Sequence, residues 1–373
     1  MIMKLSNIFL STLAVLLCCT ACSKDDESFK GKDADASLSI AVKAAGSAVT
    51  KGFHPNDENE LAGEAKVNNL SVLVFDESGA QLIGYGWQAT NSEGEASILN
   101  VPAMTMRAQI VIVSNTPENS LAGVTSYSDF ESKLAQLADQ SQSNLVMSSP
   151  VITTQAPLVK GDNYLGYASM GSENINGIAE PVEITRLAAR LDLVNVKTDF
   201  TKTLLRNRTV RVEEVTILNQ STASRFFSRD YWGVVMAAGH LGNSGATALN
   251  RDIANGSPIN DTPYVHYVME NDGSEAPTEI QVRATLLETD MYEAETKIFT
   301  AVINRNGLDR GYNHNYVKRN YVYRLNVTFG DTSFDGDHEK DSNIPIPPRP
   351  TTGDLDVQVE VVNWGQVSQD VEI

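Results

Sequence analysis

Leu38-Ser39-Ile40-Ala41-Val42-Lys43 sets three branched aliphatic side chains on one face of an extended chain and Ser, Ala and Lys on the other. A period of two is that of a half-buried β-strand. The alternation returns at the far end of the chain, where Leu355, Val357, Val359 and Val361 alternate with Asp356, Gln358, Glu360 and Val362. After Asn363-Trp364-Gly365 a further apolar set follows at Val367, Val371 and Ile373. Two rows of equal period can occupy the same groove in a sheet. A strand so patterned at a terminus needs a sheet to join, its own or another molecule's.

Between these ends the signals are again strands, expected at 67–76, 101–113, 164–168, 182–184, 191–196, 210–218, 264–269, 280–287, 297–302 and 321–329. Many short strands separated by turn residues predict β-sandwiches with Greek-key connections. One helix is predicted, where Ser128-Asp129-Phe130-Glu131 fits a capping box and Phe130, Leu134 and Leu137 share a face. Residues 46–63 are polar and Gly-containing, an exposed loop that carries Lys51, and 233–260 reads as a surface excursion. Pro345, Pro347, Pro348 and Pro350 make 330–353 a semi-rigid linker. At about 3.1 Å per residue its proline-rich part would hold the tail roughly 20 Å from its own body.

The chain has 373 residues, with 29 Lys and Arg against 47 Asp and Glu, a formal charge of −18. That length predicts two domains, and that charge opposes nucleic acid and anionic bilayers as electrostatic partners. The cysteines are Cys18, Cys19 and Cys22, so no disulfide framework staples the body. Lys4 and the apolar run 8–19 have the anatomy of a signal peptide, too short to span a bilayer as a helix. Cys19-Thr20-Ala21-Cys22 resembles a bacterial lipobox, with Cys22 as the acylated residue. Ser23-Lys24-Asp25-Asp26-Glu27 resembles the acidic export signal of Bacteroidetes surface lipoproteins.

Catalytic signatures are missing: no G-x-S-x-G, P-loop, H-E-x-x-H or paired-Cys motif occurs. His54, His240, His266, His314 and His338 are isolated and are expected on the surface rather than on a metal. The acidic run 335–341 alternates like a calcium loop but has Lys340 where Gly is needed and Ile346 where Glu is needed. It is expected to be a solvated charge run. No cofactor is implied, and the expectation is a protein that is not an enzyme.

Several segments together resemble the fimbrillins, the major structural subunits of the type V pili of the Bacteroidales. They are Leu70-Ser71-Val72-Leu73-Val74-Phe75, Ile110-Val111-Ile112-Val113-Ser114-Asn115-Thr116, Asn163-Tyr164-Leu165-Gly166-Tyr167, Arg186-Leu187-Ala188-Ala189-Arg190-Leu191-Asp192 and Tyr267-Val268-Met269-Glu270-Asn271-Asp272. Lys318-Arg319-Asn320-Tyr321-Val322-Tyr323 and the stretch from Asp356 through Trp364 to Gln369 complete the set. The resemblance implies an all-β chain of two transthyretin-like β-sandwich domains, with one or two short helices and a C-terminal donor-strand tail. It divides the chain into a signal peptide (1–21), a lipidated propeptide (22–51), sandwich domains at 52–188 and 189–330, a linker (331–353) and a donor region (354–373).

The resemblance further implies export to the cell surface as an outer-membrane lipoprotein and cleavage by a protease of Arg or Lys specificity. The cut site corresponds to Lys51-Gly52-Phe53, with Lys in place of the family's Arg. Assembly would follow by strand exchange. The displaced strand would carry Leu38, Ile40 and Val42, and the donor strand would carry Leu355, Val357, Val359, Val361, Trp364, Val367 and Val371. The partners implied are further copies of the chain, other pilus subunits, the protease and the precursor's lipid anchor. A stalk subunit is the expectation, because cleavable loop and patterned tail occur together. A tip or anchor subunit and a glycan-binding surface lipoprotein are the alternatives. Arg186 and Arg190 are expected to be junction ion-pair residues without a functional role.

Overall fold

Branched and aromatic side chains at period two pack well on a pleated surface, and nearly every regular element among the described residues is a strand. The structure, a computed structural model, describes residues 33–45, 60–168, 173–226, 239–259, 264–340, 351–353 and 356–364. No helix among them is long and apolar enough to cross a membrane.

The first domain contains β1 (Ala36–Ala44), β2 (Lys66–Asp76), β3 (Leu82–Glu93), β4 (Glu95–Ala103), β5 (Ala108–Ser114), α1 (Tyr127–Ser132), β6 (Leu134–Gln136), β7 (Met147–Ser148), β8 (Ile152–Thr153), β9 (Gly161–Leu165) and β10 (Val182–Arg186). Its main sheet runs β10-β7-β5-β2-β3-β4-β1-β9, and β1 also pairs with β10. The path therefore closes on itself through β1. Leu38, Ile40, Val42, Val72, Val74, Ile110, Ile112 and Ile184 fill the interior. Where two separate sheets are expected of a sandwich, this sheet curls into a continuous wall, because β1 has neighbours on both edges.

The second domain contains β11 (Ala188–Asp199), β12 (Thr209–Leu218), β13 (Gln220–Ser221), β14 (Ala223–Arg225), β15 (Leu241–Gly242), β16 (Thr247–Ala254), β17 (Tyr264–Met269), β18 (Glu279–Leu286), β19 (Glu295–Val302), β20 (Tyr321–Gly330) and β21 (Asp356–Asn363). Two sheets, β15-β13-β17-β11-β20-β21 and β16-β12-β18-β19, face each other across one core. A further apolar cluster joins the domains, with Phe75, Phe130, Leu187, Met269, Val322 and Trp364 among its members. A small β6-β14 ladder also crosses from one domain to the other.

Several expectations need correction. The helix starts two residues earlier than the capping box predicts: Ser126 is the N-cap, its hydroxyl accepting from the Asp129 N–H at 3.1 Å. Asp129 reaches back to the Thr125 N–H at 3.2 Å, the partner role assigned to Glu131. The helix ends at Ser132, so Leu134 lies on β6 and Leu137 in a 3-10 turn, where β14 draws the chain into a ladder. β3 escapes the pattern because its second half is polar and only its first residues are buried. The stretch 233–260 contains β16, an edge strand on β12 whose inward residue Ile253 is fully buried while most others are exposed.

The segment 331–340 is docked, not a free charge run. Phe334 packs on Phe299 at 5.3 Å between ring centroids, and the Lys297 ammonium lies 3.2 Å from Asp335. Among the described residues no group of three acids, histidines or cysteines converges on a point. His314 also departs from expectation. It is buried with Nε2 2.7 Å from the Tyr323 hydroxyl, and burial together with Lys318 pulls its pKa down to about 3.

Two measurements follow from these local structures. Ser126→Ala should cost about 1 kcal/mol in urea unfolding, and Ser128→Ala, exposed inside the helix, close to nothing. Because the unfolded state protonates His314 first, its contribution should be present above pH 6.5 and fade as pH falls towards about 3. His314→Gln should flatten that part of the stability profile relative to the parent chain.

Candidate functional site

β1 sits where a removable strand would sit. Along one edge it pairs antiparallel with the whole of β4, from Ala36 opposite Ala103 to Lys43 opposite Glu95. Along the other edge its first half runs parallel to β9 and its last residues parallel to β10. Leu38, Ile40 and Val42 form one row, each fully buried. At about 1.5–3 kcal/mol for each buried side chain, this row is a principal apolar contribution of the strand. Gly166 fits beside it because its φ is +84° and a Cβ there would stand 2.7 Å from the Ala41 carbonyl. Lys43 extends the strand and pairs with Glu183 at 3.3 Å, which ties it down.

β21 lies antiparallel on β20, from Asp356 opposite Thr328 to Asn363 opposite Tyr321. Val357, Val359 and Val361 turn toward the second core, with Val359 buried and its two neighbours half-buried, while Asp356, Gln358 and Glu360 face water. The strand expected to stand off from the body is thus docked on it. Thr351–Gly353 explains how it gets there: this segment runs beside β19, the Ile298 N–H donating to the Thr351 carbonyl at 2.8 Å. Among the described residues β21 has a single strand neighbour and is the edge of its sheet.

Trp364 follows β21 and leaves that core for the domain junction, where it is almost fully buried. Its ring stacks on Tyr267 at 6.1 Å and an interplanar angle of 12°. The Arg186 and Arg190 guanidinium carbons stand 4.8 and 5.3 Å from its centroid. The indole N–H donates to Glu64 Oε2 at 3.2 Å, the Tyr267 hydroxyl donates to Glu64 Oε1 at 2.6 Å, and Arg190 Nη1 donates to Oε2 at 2.6 Å. Asp192 accepts two further bonds from Arg190 at 2.8 Å each.

Arg186, at the end of β10, is fully buried. It donates to the Ala45 carbonyl at 2.7 Å, to the Glu64 carbonyl at 3.1 Å and to the Glu60 carboxylate. Burial pulls its pKa down against the pull of Glu60 and Glu64. Burial also lowers Arg190, but Asp192 and Glu64 outweigh it and the net shift is upward. Tyr267 is raised by burial and by the Glu64 carboxylate, so its hydroxyl stays a donor.

Of the residues singled out in the sequence, Leu38, Ile40 and Val42 share one buried row, Val357, Val359 and Val361 another, and Trp364 a third place between the domains. Cys22, Lys51, Gly52, Leu355, Val367 and Val371 lie outside the described residues. Glu60 and Glu64 were not legible as partners of Arg186 and Arg190, nor Tyr267 and Trp364 as partners of Glu64. Their separations in sequence run from over a hundred to about three hundred residues, and only the fold brings them together. Glu64→Gln would take from the buried Arg190 guanidinium one of its two carboxylates, Asp192 remaining, and weaken the acceptor that Tyr267 and Trp364 share. It should cost about 3 kcal/mol or more in denaturant unfolding, against about 2 for Tyr267→Phe.

Comparison with known proteins follows this division of the chain. Residues 36–186 match the family model of the major fimbrial subunit protein FimA, and residues 187–364 match that of the Fimbrium tip subunit Fim1C-like, C-terminal domain. A Parabacteroides distasonis relative bearing the fimbrium tip subunit name Fim1C is 46% identical, over 98% of each chain. A Porphyromonas gingivalis major fimbrium subunit, FimA type-2, is 25% identical over 98% of this chain and 99% of its own. A crystal structure described as a cell adhesion protein from Parabacteroides distasonis superposes with a TM-score of 0.79 at 45% identity, covering 90% of this chain and 99% of that one. The fimbrilin crystal structure from Porphyromonas gingivalis shares the fold, with a TM-score of 0.60 over 90% of this chain and 99% of that one at 17% identity. With two domains in the order of both family models and a near full-length relative at this identity, the chain belongs to the fimbrillin family of Bacteroidales type V pilus subunits.

Proposed function

We propose that this fimbrial subunit is exported as a lipoprotein on Cys22, is cut after Lys51, loses β1, and takes into the vacated groove a strand from another pilus subunit. The observation that carries this reading is that β1 closes the first domain. It is bonded along both edges, buries a full apolar row, and precedes Lys51 in the chain. Its departure would bare the edges of β4, β9 and β10 together with the pockets of Leu38, Ile40 and Val42, a strong drive for strand addition. An incoming strand would need the polarity of β1, antiparallel to β4 and parallel to β9 and β10. Cleavage would part the mature subunit from its lipid, leaving it in a surface fibre with other subunits.

We place the subunit at the fibre tip. The 46% identity to a relative named for that position supports this, as does the seat of Trp364, which holds β21 on its own body. A stalk subunit is the second reading, favoured by the patterned row Val357, Val359 and Val361 on an edge strand that one ladder holds. The two readings demand opposite behaviour of the tail: a stalk subunit gives it to a neighbour, a tip subunit keeps it.

Limited digestion with a lysine-specific protease, followed by N-terminal sequencing, should find Gly52 as the new N-terminus. The cut chain on its own should then remain monomeric in gel filtration and unheated SDS electrophoresis. An SDS-resistant ladder that Val359→Asp abolishes would make it a stalk subunit. Retention of the β1 segment in the cut chain against an excess of synthetic competing strand would overturn the acceptor-groove reading.

A further inference from the structure

Arg186 meets three parts of the chain that are far apart in sequence. Its donors reach the carbonyl of Ala45, the residue that follows β1, and Glu60 and Glu64, which follow Lys51 in the chain. Its guanidinium plate lies over Trp364, which ends the β21 arm. Arg186 is itself the last residue of β10, and β10 is aligned by β1: Val42, Lys43 and Ala44 pair with Val182, Glu183 and Ile184, and the Ala45 N–H donates to the Ile184 carbonyl at 2.9 Å. Removing β1 takes away the Ala45 acceptor and the ladder that positions the strand beneath the tryptophan.

A buried arginine that loses an acceptor either finds another or turns to water, and either movement disturbs the face on which Trp364 rests. Glu64 carries the same linkage from the other side. One carboxylate accepts from Arg190, Tyr267 and Trp364, and the backbone carbonyl of the same residue accepts from Arg186. Among the described residues, β21 pairs with β20 and packs its row on the second core, and Trp364 is what carries it into the junction.

From these contacts we infer that Arg186, Glu64 and Trp364 form a latch that couples occupancy of the β1 groove to how firmly the C-terminal strand is held. While the groove is filled to the position of Ala45, Trp364 is clasped; when the groove empties, Trp364 leaves the junction and β21 loosens on β20 without leaving it. The coupling is reciprocal, so loosening the tail must also loosen β1. A donor strand long enough to supply a carbonyl at the Ala45 position would restore the clasp, and a shorter one would fill the groove without restoring it. Filling the groove from outside would then lock the recipient's own tail, which suits a subunit that ends a fibre.

Hydrogen exchange followed by mass spectrometry on the intact chain tests this without cleavage. Trp364→Ala should speed exchange of residues 36–45 by about fivefold or more, the lower range for linked sites, while residues 209–218 stay unchanged. Ile40→Ala should do the same to residues 356–364. Trp364→Phe, which keeps an aromatic ring over Arg186 and loses the bond to Glu64, should fall between. In an Arg186→Met background neither effect should cross between the two strands. Exchange that rises only in the strand carrying each substitution would overturn the latch. The inference rests on the proposed loss of β1 only in its second arm, which compares intact and Lys51-cut protein. Peptides covering 33–47 and 33–43 are added to the cut chain, and only the longer should protect 356–364. If β1 never leaves the cut chain, the acceptor reading fails while the first arm still decides the latch; equal protection by both peptides would contradict the latch alone.

Discussion

The first domain is a wall of strands that closes only because β1 is bonded on both edges. Backbone N–H and C=O groups facing a strand-width gap, without water or partner, are costly, so the gap must hold a strand. Which strand fills it is a separate matter. The requirements are a period of two, an apolar row against the interior, and the polarity that satisfies β4 on one side and β9 and β10 on the other. The N-terminal segment meets them within the chain. A strand from elsewhere with the same row and direction would meet them equally, and that equivalence makes the position usable as a joint between molecules.

The second domain does not share this dependence, since its two sheets face each other over a core to which β21 adds a margin. What links the two is the junction. Arg186 and Arg190 are buried there with Glu60, Glu64 and Asp192, and Trp364 and Tyr267 close the cluster. Buried ion pairs of this kind recover their desolvation only when their donors and acceptors are fully satisfied. The geometry that satisfies them depends on the end of β1, the residues before β2, the end of β10 and the residue after β21 together. Such a cluster contributes less to stability than to fixing how these four segments sit relative to one another.

Strand rows were legible in the sequence where one face is buried and the other wet, as in Leu38 to Lys43 and Val357 to Val361. They were hidden where a strand is mostly exposed, as in β16, or where its second half is polar, as in β3. The helix was found but displaced by two residues, because Ser126 and Ser128 are chemically equal as caps and the choice depends on where the ladder after Ser132 begins. The row of the first strand and the row of the tail were visible as equivalents, yet nothing in their pattern indicated that Trp364 leaves its own core for the junction. That follows from contacts across almost the full length of the chain, which periodicity does not encode.

The measurement that bears most directly on the joint is an image reconstruction of fibres containing this subunit, at a resolution that traces individual strands. A strand of another chain should lie between Glu95–Ala103 and Gly161–Leu165, antiparallel to the first and parallel to the second, with the subunit's own residues 36–44 gone. A subunit whose own Ala36–Ala44 still fills that place within the fibre would contradict the account.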